Sequence, residues 1–306
     1  MRNLKTIHFS YPVIFSAPLC GFTRYPFRKI LTNFPLDLIF TEMVSIDALY
    51  YQNQSTLPLL AYPQSAVPTA VQLVGSKIDF FVHAVRTLQN QGFFSFDINL
   101  GCPVKKILKN QAGSALLKDP EKIYTLFKTL TNTFPNLIFS GKIRLGFSKQ
   151  EQNYLETSKA VEEGGASWIT VHGRTRCQMY EGDVNLKALA KIKKSLNIPV
   201  IGNGNVFTPK EAKEMIEQTQ CDGIMVARGI LGNPWLISQI KDYLKNGIYQ
   251  EPSLTEKIQL MIKNFHYEEE FDPLSGYREF KKIAVKYLKG FPLASTLRQK
   301  ILLAKN

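Results

Sequence analysis

Short apolar runs alternate along this chain with longer segments in which apolar residues return every three or four positions. The runs cover residues 13–19, 38–44, 69–74, 93–100, 137–145, 168–172, 199–202 and 223–227, with turn-forming residues between them, the pattern of short, fully buried strands. Helical spacing fills the intervals, as at 77–91, 151–163 and 209–218. Eight strand signals interleaved with helices predict right-handed parallel crossovers and a closed TIM (β/α)8 barrel. A doubly wound open sheet is the alternative. It normally carries G-x-G-x-x-G after its first strand, whereas here that turn reads Ala17-Pro18-Leu19-Cys20-Gly21-Phe22.

The pattern changes after about residue 232. Strand signals stop, and from about 253 onward the chain is helical in pattern, broken at Asp272-Pro273 and at Gly290-Phe291-Pro292. This predicts a barrel domain over 1–242 and a small all-helical domain over 243–306. Within the latter, Phe280, Ile283, Ala284, Tyr287 and Leu288 share one side of a helix, while Lys281, Lys282, Lys286 and Lys289 fall on the other. One side packs and the other is a lysine stripe.

Composition sharpens this reading. The 306 residues are 44% hydrophobic and carry a formal net charge of +13. Residues 281–306 alone hold seven basic side chains and no acid. A basic face confined to one appended unit favours a polyanion such as nucleic acid over a membrane surface, because the apolar face is needed for packing. The four cysteines are far apart with no C-x-x-C pair, so neither a zinc site nor a disulfide framework is expected, and a reducing cytoplasmic compartment fits. Residues 1–20 place basic residues before an apolar stretch, but Pro12 and Pro18 interrupt it. It reads as a first strand, not as a targeting or membrane segment.

Candidate chemistry lies where the strand patterns end, since active sites of parallel barrels are built at the carboxyl ends of their strands. Cys102 stands in a Gly101-Cys102-Pro103 turn just past Leu100, with Lys105, Lys106 and Lys109 following. A cysteine there is either a reactive thiol or a buried small hydrophobe. Lys142 falls inside a strand pattern, where its charge would be costly to bury without an anionic partner. Gly202-Asn203-Gly204-Asn205 and Ala227-Arg228-Gly229 offer backbone and a guanidinium where barrels bind phosphate.

Residues 99–120, beginning Asn99-Leu100-Gly101-Cys102-Pro103, resemble the signature of the tRNA-dihydrouridine synthases, most closely the bacterial B-type enzymes. Further matches follow in the family's order: Ala17 to Thr23, Thr41-Glu42-Met43-Val44-Ser45, Val71-Gln72-Leu73-Val74-Gly75, Lys142-Ile143-Arg144-Leu145-Gly146, Val171 to Arg176, Gly202 to Asn205, Ala227-Arg228-Gly229 and Gly232-Asn233-Pro234-Trp235. The resemblance implies an FMN-binding TIM barrel whose helical tail helps hold tRNA, reducing uridine at C5=C6 to 5,6-dihydrouridine. Hydride would come from FMN to C6, a proton from Cys102 to C5, and NADPH or NADH would recharge the flavin. It implies that Pro18, Leu19 and Cys20 lie along the flavin, that Lys142, His172 and Gln72 contact its ring, and that Asn203, Gly204, Asn205, Ala227 and Arg228 surround its phosphate. Asn99 would orient uracil or flavin. Arg174 and Arg176 are candidate RNA contacts, and Lys281, Lys282, Lys286 and Lys289 would meet the tRNA backbone. No metal is expected, and a monomer is. Arg24, Asn205 and Ala227 depart from the family pattern, the first two being expected to make the mouth more positive. Competing readings are an FMN barrel acting on a free pyrimidine, as dihydroorotate dehydrogenase-like enzymes do, a Schiff-base lyase using Lys142, and a non-catalytic RNA-binding protein.

Overall fold

The computed structural model describes residue 10, residues 12–62 and residues 65–304. Nine strand segments occur there: β1 Val13–Ser16, β2 Ile39–Phe40, β3 Val44–Ser45, β4 Thr69–Val74, β5 Ser95–Leu100, β6 Ile138–Arg144, β7 Trp168–His172, β8 Val200–Asn203 and β9 Gly223–Val226. All pair in parallel in the order β1-β9-β8-β7-β6-β5-β4-β2, and β3 also pairs with β4. A bridge between Phe15 and Leu38, with Ser16 N–H donating to Leu38 O at 3.1 Å, closes β1 onto the stave that begins with β2. The chain therefore forms the expected (β/α)8 barrel.

The run 38–44, expected as one strand, is split into β2 and β3. Gln72 N–H donates to the Thr41 hydroxyl at 3.1 Å instead of to a main-chain carbonyl, and Glu42 turns away to accept from Gly21 N–H. A side chain thus takes one rung of the ladder, and the strand is interrupted there. Elsewhere the ends move by a few residues, most at β1, which stops before Pro18 because a prolyl nitrogen cannot donate to a ladder. The three helices expected at 77–91, 151–163 and 209–218 form as Ile78–Gln89, Tyr154–Glu163 and Pro209–Thr219. In the last, the Thr208 hydroxyl accepts from Glu211 N–H at 3.2 Å, and Pro209 occupies the first turn.

Inside the barrel, side chains alternate along each strand, so every second residue points inward. The lower interior is apolar: Val13, Phe15, Leu38, Phe40, Ala70, Ile138, Trp168, Ile201 and Met225 form one cluster. Two-residue steps towards the carboxyl ends then change its character. Ser140 leads to Lys142, Thr170 to His172, Asp97 to Asn99 and Ile201 to Asn203, and the register sets Asn99 beside Lys142 and His172 beside Asn203. Buried polar side chains cost free energy unless partnered. Their concentration at one end marks the functional face.

Helices Leu254–Phe271, Gly276–Tyr287 and Ala294–Leu303 follow helix Leu236–Asn246, with the two breaks where expected. Phe280, Ile283, Ala284 and Tyr287 join one core cluster with Phe27, Ile30, Leu36 and Ile237, so the apolar side of 280–288 packs against the barrel. Gly232, at φ +73°, touches this helix so closely that a Cβ would enter the Lys286–Tyr287 backbone. Arg24 bridges the same seam, pairing with Glu268 at 3.0 Å, Asp272 at 3.3 Å and Glu279 at 3.6 Å. The expectation that Arg24 adds positive charge to the mouth is therefore corrected, since three carboxylates surround it. Burial, opposed by Arg24, pushes the Glu268 carboxyl up to about 7.

The lysine stripe is uneven. Lys281 is half-buried, its ammonium donating to Leu302 O at 3.1 Å and Ala304 O at 2.6 Å, and Lys282 pairs with Glu279 at 2.6 Å. Lys286 and Lys289 are exposed. Residues 1–9 and 11, on which the targeting argument partly rests, and Lys305 lie outside the described residues. No helix among the described residues is long and apolar enough to cross a membrane.

Candidate active site

The Gly101-Cys102-Pro103 turn is held on every side. Asn99 Oδ1 accepts from Gly101 N–H at 3.1 Å and Cys102 N–H at 2.9 Å. Each carbonyl of the turn is also taken: Gly101 O by Arg144 Nε at 2.9 Å, Cys102 O by the Ser114 hydroxyl at 2.8 Å, and Pro103 O by Arg176 Nη2 at 3.4 Å. Gly113, at φ +60°, packs against Cys102, where a Cβ would lie 3.0 Å from its carbonyl oxygen and 3.1 Å from its Cβ. A cysteine so fixed is neither on a mobile loop nor buried in the apolar core. Burial pushes its thiol above the ordinary value, outweighing the Val104 N–H and Arg144, which pull it down. It stays a thiol at neutral pH.

The turn borders a cavity of about 500 Å³ at the barrel mouth. Pro18, Leu19, Cys20, Gln72, Asn99, Lys142, His172, Asn203, Gly204, Asn205, Ala227 and Arg228 all line it, so residues from seven separate stretches of sequence meet in one space. Lys142 Nζ donates to Asn203 Oδ1 at 2.9 Å, and Asn203 Nδ2 to Met225 O at 2.7 Å. Burial, reinforced by Arg144, pushes Lys142 down to about 8 against the attraction of Asp97. His172 is pushed well below its ordinary value by burial first, then by Lys142, Arg144, Arg174 and Arg228, and is neutral. Its Nδ1 is buried without a hydrogen-bond partner.

Gln72 and Asn99 are more committed than expected. Gln72 Nε2 donates to Asp97 Oδ2 at 2.7 Å, and its Oε1 accepts from Asn99 Nδ2 at 2.8 Å. Each amide keeps one N–H for a ligand. Arg174, expected as an RNA contact, is only 1% exposed, and its guanidinium holds Glu181 O, Gly182 O and Asn205 Oδ1. It supports the loop at Glu181 and Gly182 from behind. The Asn205 oxygen is turned to Arg174, so its effect at the mouth is to anchor that arginine. Arg176 is half-buried over the Phe147 ring, 5.1 Å from its centroid. Lys281, Lys282, Lys286 and Lys289 lie outside the cavity lining, on the helical tail.

Sequence reasoning missed Arg144, Ser114 and Asp97. Arg144 donates to Gly101, Thr175 and Met179 carbonyls and lines the cavity. Strand alternation could have found it, since it lies two residues beyond Lys142. Tyr180 and Phe207, both exposed, also border the cavity, with the Arg228 guanidinium 4.8 Å and 5.4 Å from their ring centroids.

A closed parallel barrel whose carboxyl mouth gathers a protonated thiol, a buried lysine, a neutral histidine and two loops suited to an anion defines a (β/α)8-barrel enzyme site. The chain belongs to the dihydrouridine synthase family, whose model matches residues 15–305. It is similar to tRNA-dihydrouridine synthase B of Pasteurella multocida, with 35% identity covering 94% of this chain and 86% of that one. A probable tRNA-dihydrouridine synthase 1 of Synechocystis is 34% identical over 94% of this chain and 81% of its own. A probable tRNA-dihydrouridine synthase of Rickettsia prowazekii is 32% identical over all of this chain and 94% of its own.

Proposed function

We propose that this protein is an oxidoreductase that reduces the C5=C6 bond of uridines in tRNA to 5,6-dihydrouridine, with FMN in the mouth cavity and NADPH or NADH as reductant. The observation that carries the reading is the Cys102 thiol: fixed on a rigid turn, facing the cavity shared by Lys142, His172 and the Asn203 loop, and kept protonated by burial. A general acid must begin the reaction holding its proton, and Cys102 does. Its proton would go to C5.

The residues present suit FMN. Lys142 carries a buried charge whose only close partner among the described hydrogen bonds is an amide, His172 Nδ1 lacks a partner, and Leu19, Met43 and Leu231 add apolar walls. Pro18, Leu19, Cys20, Gln72, Lys142 and His172 would hold the ring, and Asn203, Gly204, Asn205, Ala227 and Arg228 the phosphate. When bound, FMN supplies the hydride for C6. Lys142 offsets negative charge, Asn99 and Gln72 each offer one remaining N–H, and Arg144 keeps the cysteine turn in place.

A uridine stacked in folded tRNA must leave the stack to reach such a cavity, at a cost of a few kcal/mol. Backbone contacts from the helical tail, 243–306, would offset that cost for the catalytic barrel, 1–242, with Lys286 and Lys289 free to make them. Incubating the protein with FMN, NADPH and in vitro transcribed tRNA tests the reading, with mass spectrometry scoring uridines that gain two hydrogens. Reduction of a free pyrimidine with tRNA untouched would replace it by the dihydroorotate dehydrogenase-like alternative. A protein that retains no FMN would overturn the cofactor assignment.

A further inference from the structure

We propose that Asp97 is a positioning residue: by accepting from the Gln72 amide it fixes the direction of a side-chain relay that ends on the Cys102 turn, and so sets where the thiol sits. The inference deepens the site and rests on the acid role given to Cys102. Asp97 is fully buried on β5, one inward step below Asn99, and acts only through its neighbours.

The argument is one of direction. An ionised carboxylate has only acceptors. Asp97 Oδ1 accepts from the Ser140 hydroxyl at 2.7 Å and Oδ2 from Gln72 Nε2 at 2.7 Å. Gln72 must therefore turn its oxygen outward, where it accepts from Asn99 Nδ2 at 2.8 Å. Asn99 must in turn present its oxygen to the Gly101 and Cys102 N–H groups. Rotating either amide by half a turn would set donor against donor at one end and acceptor against acceptor at the other, with no bulk water to relieve the clash. The relay is therefore locked at both ends: the turn's N–H groups require an oxygen from Asn99, and the Asp97 carboxylate requires the NH2 of Gln72.

A polarity swap tests this. In Asn99→Asp one carboxylate oxygen still serves the turn, but the other faces Gln72 and requires its NH2, which drives the Gln72 oxygen against Asp97. Adding Asp97→Asn restores a donor there, and the whole relay can run reversed. The readouts are the thermal midpoint and the rate at which iodoacetamide alkylates Cys102, followed by peptide mass spectrometry without tRNA or NADPH. They therefore stand even if the protein makes no dihydrouridine, and a catalytic failure with the expected coupling would overturn only the functional reading. Asp97→Asn alone should stay within about threefold of wild type, because its oxygen can still accept from Gln72. Asn99→Asp should change the alkylation rate about tenfold and lower the midpoint, and the double variant should return to within about twofold. Perturbations that simply add in the double variant overturn the proposal. If Asn99→Asp does not fold, recovery of folding in the double variant supports the relay, and failure of both counts against it.

Discussion

At the scale of single residues, the site is a balance of buried charges whose protonation states are set by burial before they are set by neighbours. Cys102 lies beside Arg144, yet its thiol is raised. Alanine carries no proton to donate, so Cys102→Ala should lower dihydrouridine formation about 10²–10⁴-fold. Bound flavin, measured by absorbance, should be unchanged. Full activity in that variant would remove the acid role. Lys142 gives a second prediction. Its folded value of about 8 lies below the ordinary 10.5, so carrying its charge destabilises the fold at all pH values below about 8, and this cost fades as pH rises from there towards 10.5. Lys142→Met should therefore raise the unfolding free energy of the flavin-free protein at pH 7, by up to about 3 kcal/mol, while abolishing flavin retention. A variant less stable than wild type at pH 7 would contradict this account of the charge.

Among the elements, the joint between barrel and tail is an exacting contact. Gly232→Ala would force a side chain into the helix Gly276–Tyr287 at a backbone angle that L-residues seldom adopt. A loss of about 2–4 kcal/mol is expected, read by chemical denaturation, with tRNA affinity falling before flavin binding does. The strands were legible from sequence because parallel strands buried on both faces read as continuous apolar runs. What interrupted the second stave was a single hydroxyl, Thr41, and nothing in a run such as Leu-Ile-Phe-Thr-Glu announces that its side chain will replace a carbonyl in the ladder. The site was legible where motifs lie at strand ends, as at Cys102 and Asn203. It was not legible for Asp97 and Ser140, which lie mid-strand one layer down and matter through hydrogen bonds between strands far apart in sequence. The burial of Arg174 was likewise hidden, because its partners are carbonyls of a loop eight residues further on.

For the whole molecule, charge is distributed by purpose. Lys281, Lys282 and Arg24 are absorbed by partners within the fold, whereas Lys286 and Lys289 stay exposed. Binding of tRNA should weaken steeply with salt, and Lys286→Glu with Lys289→Glu should reduce the log–log slope by roughly one for every phosphate that is no longer neutralised. An affinity indifferent to salt would remove the polyanion argument.

The Arg24 seam has a further consequence. The arginine begins the segment that follows Cys20 at the cavity, and of its three carboxylates Glu279 sits on the helix that carries Lys286, while Glu268 and Asp272 lie at the end of the helix before it. With Gly232 wedged against the same helix, the joint between tail and barrel is pinned at two points. For the proposed tRNA substrate gripped at its backbone, such a joint would make the protein a caliper: the nucleotide brought over the thiol would be picked by how far it lies from the grip, before any feature of its base is read.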